Sequence, residues 1–320
     1  MKTITPEQVE LIDAVLAEVD VGFLTASILE KDIHVTDALQ HLMEMQFPDI
    51  RLVFCGGTSL SKAYRLIERM SEDVDLKIVW DESNTFSASA KKRHLSQLKA
   101  EVAQVLARLG FEETVDARIA RNENRHFSSR WQYAPQYPHD VSLRPYLSLE
   151  LTVRTPEFEV TLRPLENLVD RLAARPGYMG SILCVAVEET LAEKIISFLR
   201  RYAQHQAGAM LQPWDEALVR HIYDVYCISL DDPAVSKRAA SGFKKLVEFD
   251  AAEFGRQFPP FAANPGNVMQ RALDQTSSDA AIRGQYDARL MPLIFGSVRP
   301  SFDEAFTVFR EHAEALIRTL

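Results

Sequence analysis

The first 50 residues carry apolar positions at the spacing of a helix. Residues 6–19 and residues 35–46 each repeat hydrophobic side chains every three or four positions, which is typical of an amphipathic helix. Thr5 and Pro6 precede the first repeat as a cap and a proline in the first turn. The pattern predicts an N-terminal helical layer over residues 1–50.

Strand patterns follow from residue 51 onward. The apolar run 51–55 ends in Gly56-Gly57, which predicts a buried strand and a tight turn, and a helix is predicted from Ser59 to about Met70. The further predicted elements are a strand over 73–79, a helix over about 87–109, a hairpin over 114–133, a strand over 146–154 and a strand-sized apolar run over 182–187.

Strand signals stop after residue 186. Amphipathic segments follow at about 188–203, 215–229, 233–248, 266–274 and 302–319. The sequence therefore predicts an α/β (α+β) chain with a core over 51–186 and a helical lobe over 187–320, the boundary falling between residues 165 and 187.

Composition narrows the class of protein. The 320 residues include 36 Lys+Arg and 45 Asp+Glu, a net charge of −9, so a protein that coats nucleic acid without specificity is disfavoured while a local basic patch is allowed. The three cysteines form no C-x-x-C pair, which favours a reducing compartment. With neither a signal peptide nor an apolar membrane-length run, we expect a soluble, cytoplasmic protein and no membrane partner.

Gly56, Gly57, Thr58 and Ser59 lie between a predicted strand and a predicted helix. Backbone N–H groups and the positive end of the helix dipole at such a junction can hold a phosphate. An ordinary turn explains the same glycines. The P-loop signature is absent, which disfavours a Walker-type ATPase.

Three carboxylates fall on polar faces of the predicted strands. Asp73 and Asp75 are two positions apart and project from one face, where hard oxygen ligands suit Mg²⁺. Glu150 is the lone acid in an alternating strand, and the three together would make a two-metal phosphoryl-transfer site. The alternatives are a solvated strand face, on which the acids simply cover an edge, and a surface pair of Glu150 with Arg144 or Arg154.

Four ordered motifs resemble the AbiEii/AbiGii toxin family. Residues 56–64 read Gly-Gly-Thr-Ser-Leu-Ser-Lys-Ala-Tyr, and residues 69–76 read Arg-Met-Ser-Glu-Asp-Val-Asp-Leu. Residues 189–194 and 220–226 resemble the lysine helix and the R-D-x-x-D-L-type helix of the family, although His221 stands where the family often has Asp. The resemblance implies a DNA polymerase β-like nucleotidyltransferase lobe with a mixed sheet, followed by a helical lobe.

The resemblance also implies roles for individual residues. Asp73 and Asp75 would bind two Mg²⁺ ions, and Glu150 would deprotonate or orient the attacking hydroxyl. Lys194 and Asp224 would complete the catalytic set, with an ordinary helical lysine and a buried pair of Asp224 with Arg220 as their alternatives. The nucleotide would be held by Gly56, Gly57, Thr58, Ser59, Lys62, Arg65, Ser71 and Lys194. No histidine spacing predicts zinc.

A basic segment suggests the acceptor. Basic side chains interleaved with aromatic ones suit a folded RNA, and a solvated hairpin face explains the pattern equally well; the basic residues are Arg118, Arg121, Arg125 and Arg130. The favoured hypothesis is an Mg²⁺-dependent toxin that transfers a nucleotide from NTP to RNA, with the tRNA 3′ end as acceptor, and is countered by a separately encoded antitoxin. The alternatives are transfer to a protein hydroxyl or a small molecule, and an NTP-binding regulatory module without turnover.

Overall fold

The computed structural model of the protein describes residues 1–81, 86–138, 143–175 and 180–320. Part of the predicted lobe boundary, residues 176–179, lies outside the described residues. The chain divides into two compact units, the first made of Met1–Arg65, Arg69–Pro156 and Val160–Val185, the second of Leu66–Glu68, Glu157–Glu159 and Ala186–Leu320.

The first unit is built on one mixed sheet. Its strands are β1 (Ile50–Cys55), β2 (Asp73–Trp80), β3 (Glu112–Glu113), β4 (Ile119–Arg121), β5 (His126–Gln132), β6 (Leu147–Val153), β7 (Thr161–Pro164) and β8 (Ser181–Cys184). The spatial order is β3-β5-β6-β2-β1-β8-β7, and β4 pairs with β5 outside this path. The pairs β2–β6 and β1–β8 are parallel, and the other pairs are antiparallel.

Helices cover one face of this sheet. The helices of the first unit are α1 (Pro6–Glu18), α2 (Ala26–Met43), α3 (Gly56–Lys62), α4 (Ala88–Arg108) and α5 (Leu168–Leu172). Apolar side chains of β1, β2, β5 and β6 pack with those of α2 and α4 in the main core, including Leu39, Leu76, Leu98 and Leu149. Alternation along each strand leaves the polar positions on the opposite face.

Two helices depart from the prediction. Helix α2 begins at Ala26, nine residues earlier than the pattern indicates, because its first turns bury polar side chains among the apolar ones and so interrupt the apolar period. Helix α3 ends at Lys62 and not near Met70, since Arg65 takes a positive φ of 59° that leaves the helical path. The predicted cap of α1 is confirmed: Thr5 accepts from the backbone N–H of Gln8, with a proline in the first turn.

The second unit is helical within the described residues. Its helices are α6 (Val187–Gln206), α7 (Arg220–Asp231), α8 (Val235–Phe254), α9 (Pro259–Ala263), α10 (Pro265–Thr276), α11 (Ala280–Gln285) and α12 (Phe302–Ile317). Aromatic side chains form much of its core, with Phe198, Phe243 and Phe309 fully buried. In the described part of the chain, each helix is too short or too polar to cross a bilayer.

Candidate active site

The carboxylate of Asp75 approaches the chain at the start of α3. Gly56 has a φ of +75°, and a Cβ atom built on it would lie 2.3 Å from Asp75 Oδ2. A side chain at position 56 would therefore collide with the carboxylate, and the left-handed backbone independently favours glycine. The predicted Gly-Gly turn thus brings the backbone close to an acidic side chain.

Asp73 and Asp75 lie on β2, which runs between β1 and β6 in the interior of the sheet. The pair therefore does not cover an edge of the sheet. Because they are two positions apart, both side chains project from the same face of the sheet. That face is opposite the main core, which holds the alternate residues Val74 and Leu76. Asp73 keeps about a third of its side-chain area exposed, 32%.

Glu150 is the neighbour of Asp75 on the next strand. The parallel register of β2 and β6 pairs Asp75 with Glu150 and Asp73 with Ser148, so these side chains share one face, with strands about 4.8 Å apart. Glu150 Oε1 lies 3.7 Å from His126 Nδ1 and 3.4 Å from Thr152 Oγ1. The third carboxylate is thus adjacent to the pair, with its side chain toward β5.

The predicted hairpin extends the same face. Strands β4 and β5 pair antiparallel, with Arg121 opposite His126, and Arg130 lies opposite Ser148 of β6. These registers put Arg121 and Arg130 on the face that carries the carboxylates. The Arg130 guanidinium carbon lies 4.8 Å from the ring centroid of Tyr146.

The two other arginines of the basic segment lie off these strands. Arg125 is exposed at the turn between β4 and β5, and Arg118 forms an ion pair with Glu113. Two of the four arginines therefore share the face of the carboxylates through strand register.

The hydroxyls of the predicted nucleotide-binding segment form hydrogen bonds within the protein. Thr58 Oγ1 donates to the backbone oxygen of Asp73 and lies 2.8 Å from Ser71 Oγ. Ser59 Oγ donates to the carbonyl of Gly56 at 2.9 Å. Thr58 thus ties α3 to β2, and Ser59 bonds within α3. Both side chains have no exposed area, so their hydroxyls are not placed to contact a phosphate.

Lys62 is likewise directed into the protein. Its ammonium contacts Asp32 Oδ1 at 2.6 Å, the Asp32 carbonyl at 3.1 Å and Thr36 Oγ1 at 2.7 Å. These three acceptors match the three N–H donors of the group. Burial lowers the pKa of Lys62, and the charge of Asp32 opposes that shift. In this geometry the ammonium of Lys62 does not reach toward a phosphate, contrary to the expectation from the sequence.

Arg65 lies beyond the end of α3. Its guanidinium forms an ion pair with Glu166 at 2.6 Å, and 44% of its side chain is exposed. It therefore remains accessible to an anion, in contrast to Lys62.

Asp73 and Asp75 offer carboxylate oxygens to a metal ion. Among the described residues, no group of three or more His, Cys, Asp and Glu side chains is arranged to hold a metal ion. Mg²⁺, however, is commonly bound by one or two carboxylates, with water and substrate phosphates completing its shell. Asp73 and Asp75, two oxygen donors on one face beside a close backbone approach, fit that mode of binding.

Lys194 and Asp224 form a buried pair in the second unit. Lys194 Nζ lies 2.6 Å from Asp224 Oδ2, and both side chains are almost entirely buried. His221 Nδ1 lies 3.2 Å from the backbone oxygen of Lys194. The two helix motifs of the sequence therefore meet within this unit, on α6 and α7.

Sequence reasoning missed the partner of Asp73. Arg144 Nη1 donates to Asp73 Oδ1 at 2.6 Å, although the sequence offered Arg144 only as a partner for Glu150. Glu72 and Lys31, which hold the backbone of Arg144, were missed as well. The available signal was electrostatic, since adjacent acids on one face need a counter-charge.

The sheet and its paired carboxylates are the arrangement expected of a nucleotidyltransferase. A model of the nucleotidyl transferase AbiEii toxins of type IV toxin–antitoxin systems matches residues 37–308. The match covers most of the chain, and the chain belongs to this family of nucleotidyltransferase toxins. Membership implies a separate antitoxin, and nucleotidyltransferases typically use an NTP and a divalent metal.

One solved structure has a similar fold over most of the chain. MenT4, a nucleotidyltransferase toxin from Mycobacterium tuberculosis H37Rv, is 18% identical with a TM-score of 0.53, over 98% of this chain and 89% of that one. This similarity confirms the predicted fold, a mixed sheet with many helices. No curated protein matches the sequence.

Two structures from Helicobacter pylori are also similar. A putative nucleotidyltransferase is 14% identical, covering 92% of this chain and 96% of that one, with a TM-score of 0.46. JHP933 is 14% identical, covering 92% of this chain and 94% of that one, with a TM-score of 0.42.

Proposed function

We propose that this enzyme transfers a nucleotide from an NTP to RNA in a Mg²⁺-dependent reaction, with the tRNA 3′ end as the acceptor. Such a transfer would block translation, and the separate antitoxin would counter it in the cytoplasm. The observation that carries the proposal is the register that pairs Asp75 with Glu150 and continues the same face onto the basic hairpin.

The first step of the proposal concerns the nucleotide. Asp73 and Asp75 would hold the cation, which when bound would offset the negative charge of the phosphates. The close approach of Gly56 to Asp75 leaves room for backbone and no room for a side chain at this point. Arg65 is the exposed cation of the predicted nucleotide-binding set.

The second step concerns the acceptor hydroxyl. Glu150 is about half exposed, 48%, and lies in register with Asp75, so it is a suitable base for a hydroxyl proton. The hydroxyl oxygen would form a bond to the α-phosphorus of the NTP, and the bond from that phosphorus to the bridging oxygen would break, releasing pyrophosphate. His126, next to Glu150, would orient the carboxylate.

The RNA acceptor is supported by the basic hairpin. Arg121 and Arg130 flank the carboxylate row, and Tyr146 offers an aromatic ring beside Arg130. Guanidinium groups and rings of this kind bind phosphates and stack on bases. Arg118 and Arg125 extend the basic surface, although Arg118 also neutralises Glu113.

Lys194 and Asp224 remain proposed members of the catalytic set. A catalytic role of the pair can be distinguished from a purely structural one, because both charges can be removed together. We expect a Lys194→Met/Asp224→Asn double variant to regain the stability that Lys194→Met alone loses, and to stay inactive. Recovery of both stability and activity would remove the pair from the catalytic set.

The acceptor is tested by labelling. Purified protein, Mg²⁺ and each α-labelled NTP in turn are mixed with bacterial total RNA and with RNA-free bacterial protein, and the products are resolved on denaturing gels. Label on tRNA-sized RNA, absent with an Arg121→Gln/Arg130→Gln variant, is expected. Label on protein alone would overturn the RNA acceptor and would favour a protein hydroxyl, in keeping with the net charge of −9.

A further inference from the structure

Arg144 pairs with Asp73 although it lies outside the family motifs quoted above. Its Nη1 atom is 2.6 Å from Asp73 Oδ1, and about a third of each side chain is exposed, 34% for Arg144 and 32% for Asp73. The guanidinium therefore occupies an oxygen that the proposed function gives to a cation. The two cannot share this oxygen without repulsion.

The backbone of Arg144 is held from two sides by buried charges. Its N–H donates to Glu72 Oε2 at 2.6 Å, and its carbonyl accepts from Lys31 Nζ at 2.8 Å. Glu72 is 1% exposed and Lys31 is fully buried, with their charged atoms 3.5 Å apart. Lys31 also donates to the carbonyl of Tyr146.

Glu72 and Lys31 form a frame that holds the backbone of Arg144 and makes no contact with its guanidinium through these bonds. Lys31 and Glu72 bind main-chain atoms of residue 144, so the guanidinium can change partner while the frame stays intact. Glu72 precedes Asp73 directly, so the frame also fixes the distance from the backbone of Arg144 to the start of β2. The arrangement fits a side chain that moves on a fixed anchor.

We propose that Arg144 is a phosphate-binding residue that exchanges Asp73 for the bound nucleotide. The inference rests on the proposed function. Without ligand, Arg144 neutralises Asp73; with a divalent cation on Asp73 and Asp75, like charge expels the guanidinium from Asp73. The nearest new anion is then the triphosphate, for which the planar fork of arginine is well suited. Cation and nucleotide binding are coupled through this exchange.

The proposal predicts opposite signs for two affinities of one variant. In Arg144→Gln, Mn²⁺ should bind the nucleotide-free protein more tightly because the competing guanidinium is gone. A non-hydrolysable NTP analogue, measured in the presence of Mn²⁺, should bind more weakly, each change being about tenfold. Both substitutions tested keep the backbone contacts to Glu72 and Lys31, and Arg144→Lys should lie between Gln and wild type.

The experiment measures Mn²⁺ binding by electron paramagnetic resonance and analogue binding by calorimetry. Arg283→Gln is the matched control, since it removes an exposed arginine–aspartate pair, with Asp303, from the other unit. Opposite shifts in Arg144→Gln, and none in the control, support the exchange. Changes of the two affinities in the same direction, or no change in either, overturn the exchange. The proposed function is unaffected by that outcome as long as the wild type binds both ligands and transfers the α label to RNA. A wild type that binds neither ligand defeats both.

Discussion

Gly56 and Asp75 are in contact so close that no side chain fits between them: a Cβ on Gly56 would lie 2.3 Å from Asp75 Oδ2. The glycine that turns β1 into α3 therefore also sets the place of the second aspartate of the pair. The turn and the acidic strand are two parts of one candidate site.

A Gly56→Ala substitution tests this contact. The methyl group would displace the Asp75 carboxylate, so we expect loss of nucleotidyl transfer, together with about 1–2 kcal/mol of strain from the left-handed backbone. Gly208→Ala is the matched control, since Gly208 has a φ of +63° and nothing within 4 Å of the added Cβ. The control should lose a similar free energy of unfolding in urea because of its backbone strain, and it should keep its activity. Full activity in Gly56→Ala as well would contradict the contact.

Glu150→Gln should lower kcat with little change in stability. The side chain is half exposed, and the amide keeps hydrogen bonding but cannot accept the acceptor proton. We expect a loss of about 100- to 10,000-fold in kcat, the usual contribution of general base catalysis. Glu248→Gln, which alters an exposed Lys–Glu pair on α8, is the control. A kcat within twofold of wild type would show that Glu150 is not the base.

Lys62 should act on stability through Asp32. Lys62→Met would leave the Asp32 carboxylate buried without its ammonium partner, at a cost of about 3–5 kcal/mol in the free energy of unfolding. Asp32 also accepts from the backbone N–H of Leu168, a bond that an asparagine can keep. An Asp32→Asn/Lys62→Met double variant should therefore recover most of the loss in urea unfolding. Failure of that recovery would contradict the structural role.

His34 should make the first unit sensitive to acid. Burial lowers the pKa of His34 below its ordinary 6.5, the ring packing on Tyr133 and Phe111. The unfolded chain then binds a proton that the folded chain does not, so the free energy of unfolding falls as the pH drops from about 6.5 toward the folded pKa. His34→Phe should lessen that slope by up to about 1.4 kcal/mol per pH unit. An unchanged slope in urea titrations at several pH values would contradict the assignment.

The sequence predicted the strand pattern and the Gly-Gly turn well, because alternation and glycine pairs are local signals. It placed α2 nine residues late because Glu30, Lys31, Asp32 and His34 interrupt the apolar period, and only the tertiary structure shows that they are buried. Lys62 looked like a phosphate ligand because its burial against Asp32, too, is visible only in the tertiary structure.

The pairing of Arg144 with Asp73 could not be predicted from local patterns. The two residues are 71 positions apart, and no period connects a residue before β6 with the first residue of β2. The sequence shows that Glu150 and Asp75 are both acids on the polar faces of strands. It does not show that they are neighbours, because that depends on the strand order and on the register of β2 and β6.

The central claim is that Asp73 and Asp75 form a centre that transfers a nucleotidyl group. The most direct measurement compares α-labelled and γ-labelled NTP with total RNA and Mg²⁺, for the wild type and for Asp75→Asn. The account predicts that the α label alone enters the product, with release of pyrophosphate, and that Asp75→Asn abolishes this. Entry of the γ label, or undiminished α-label transfer by Asp75→Asn, would contradict it.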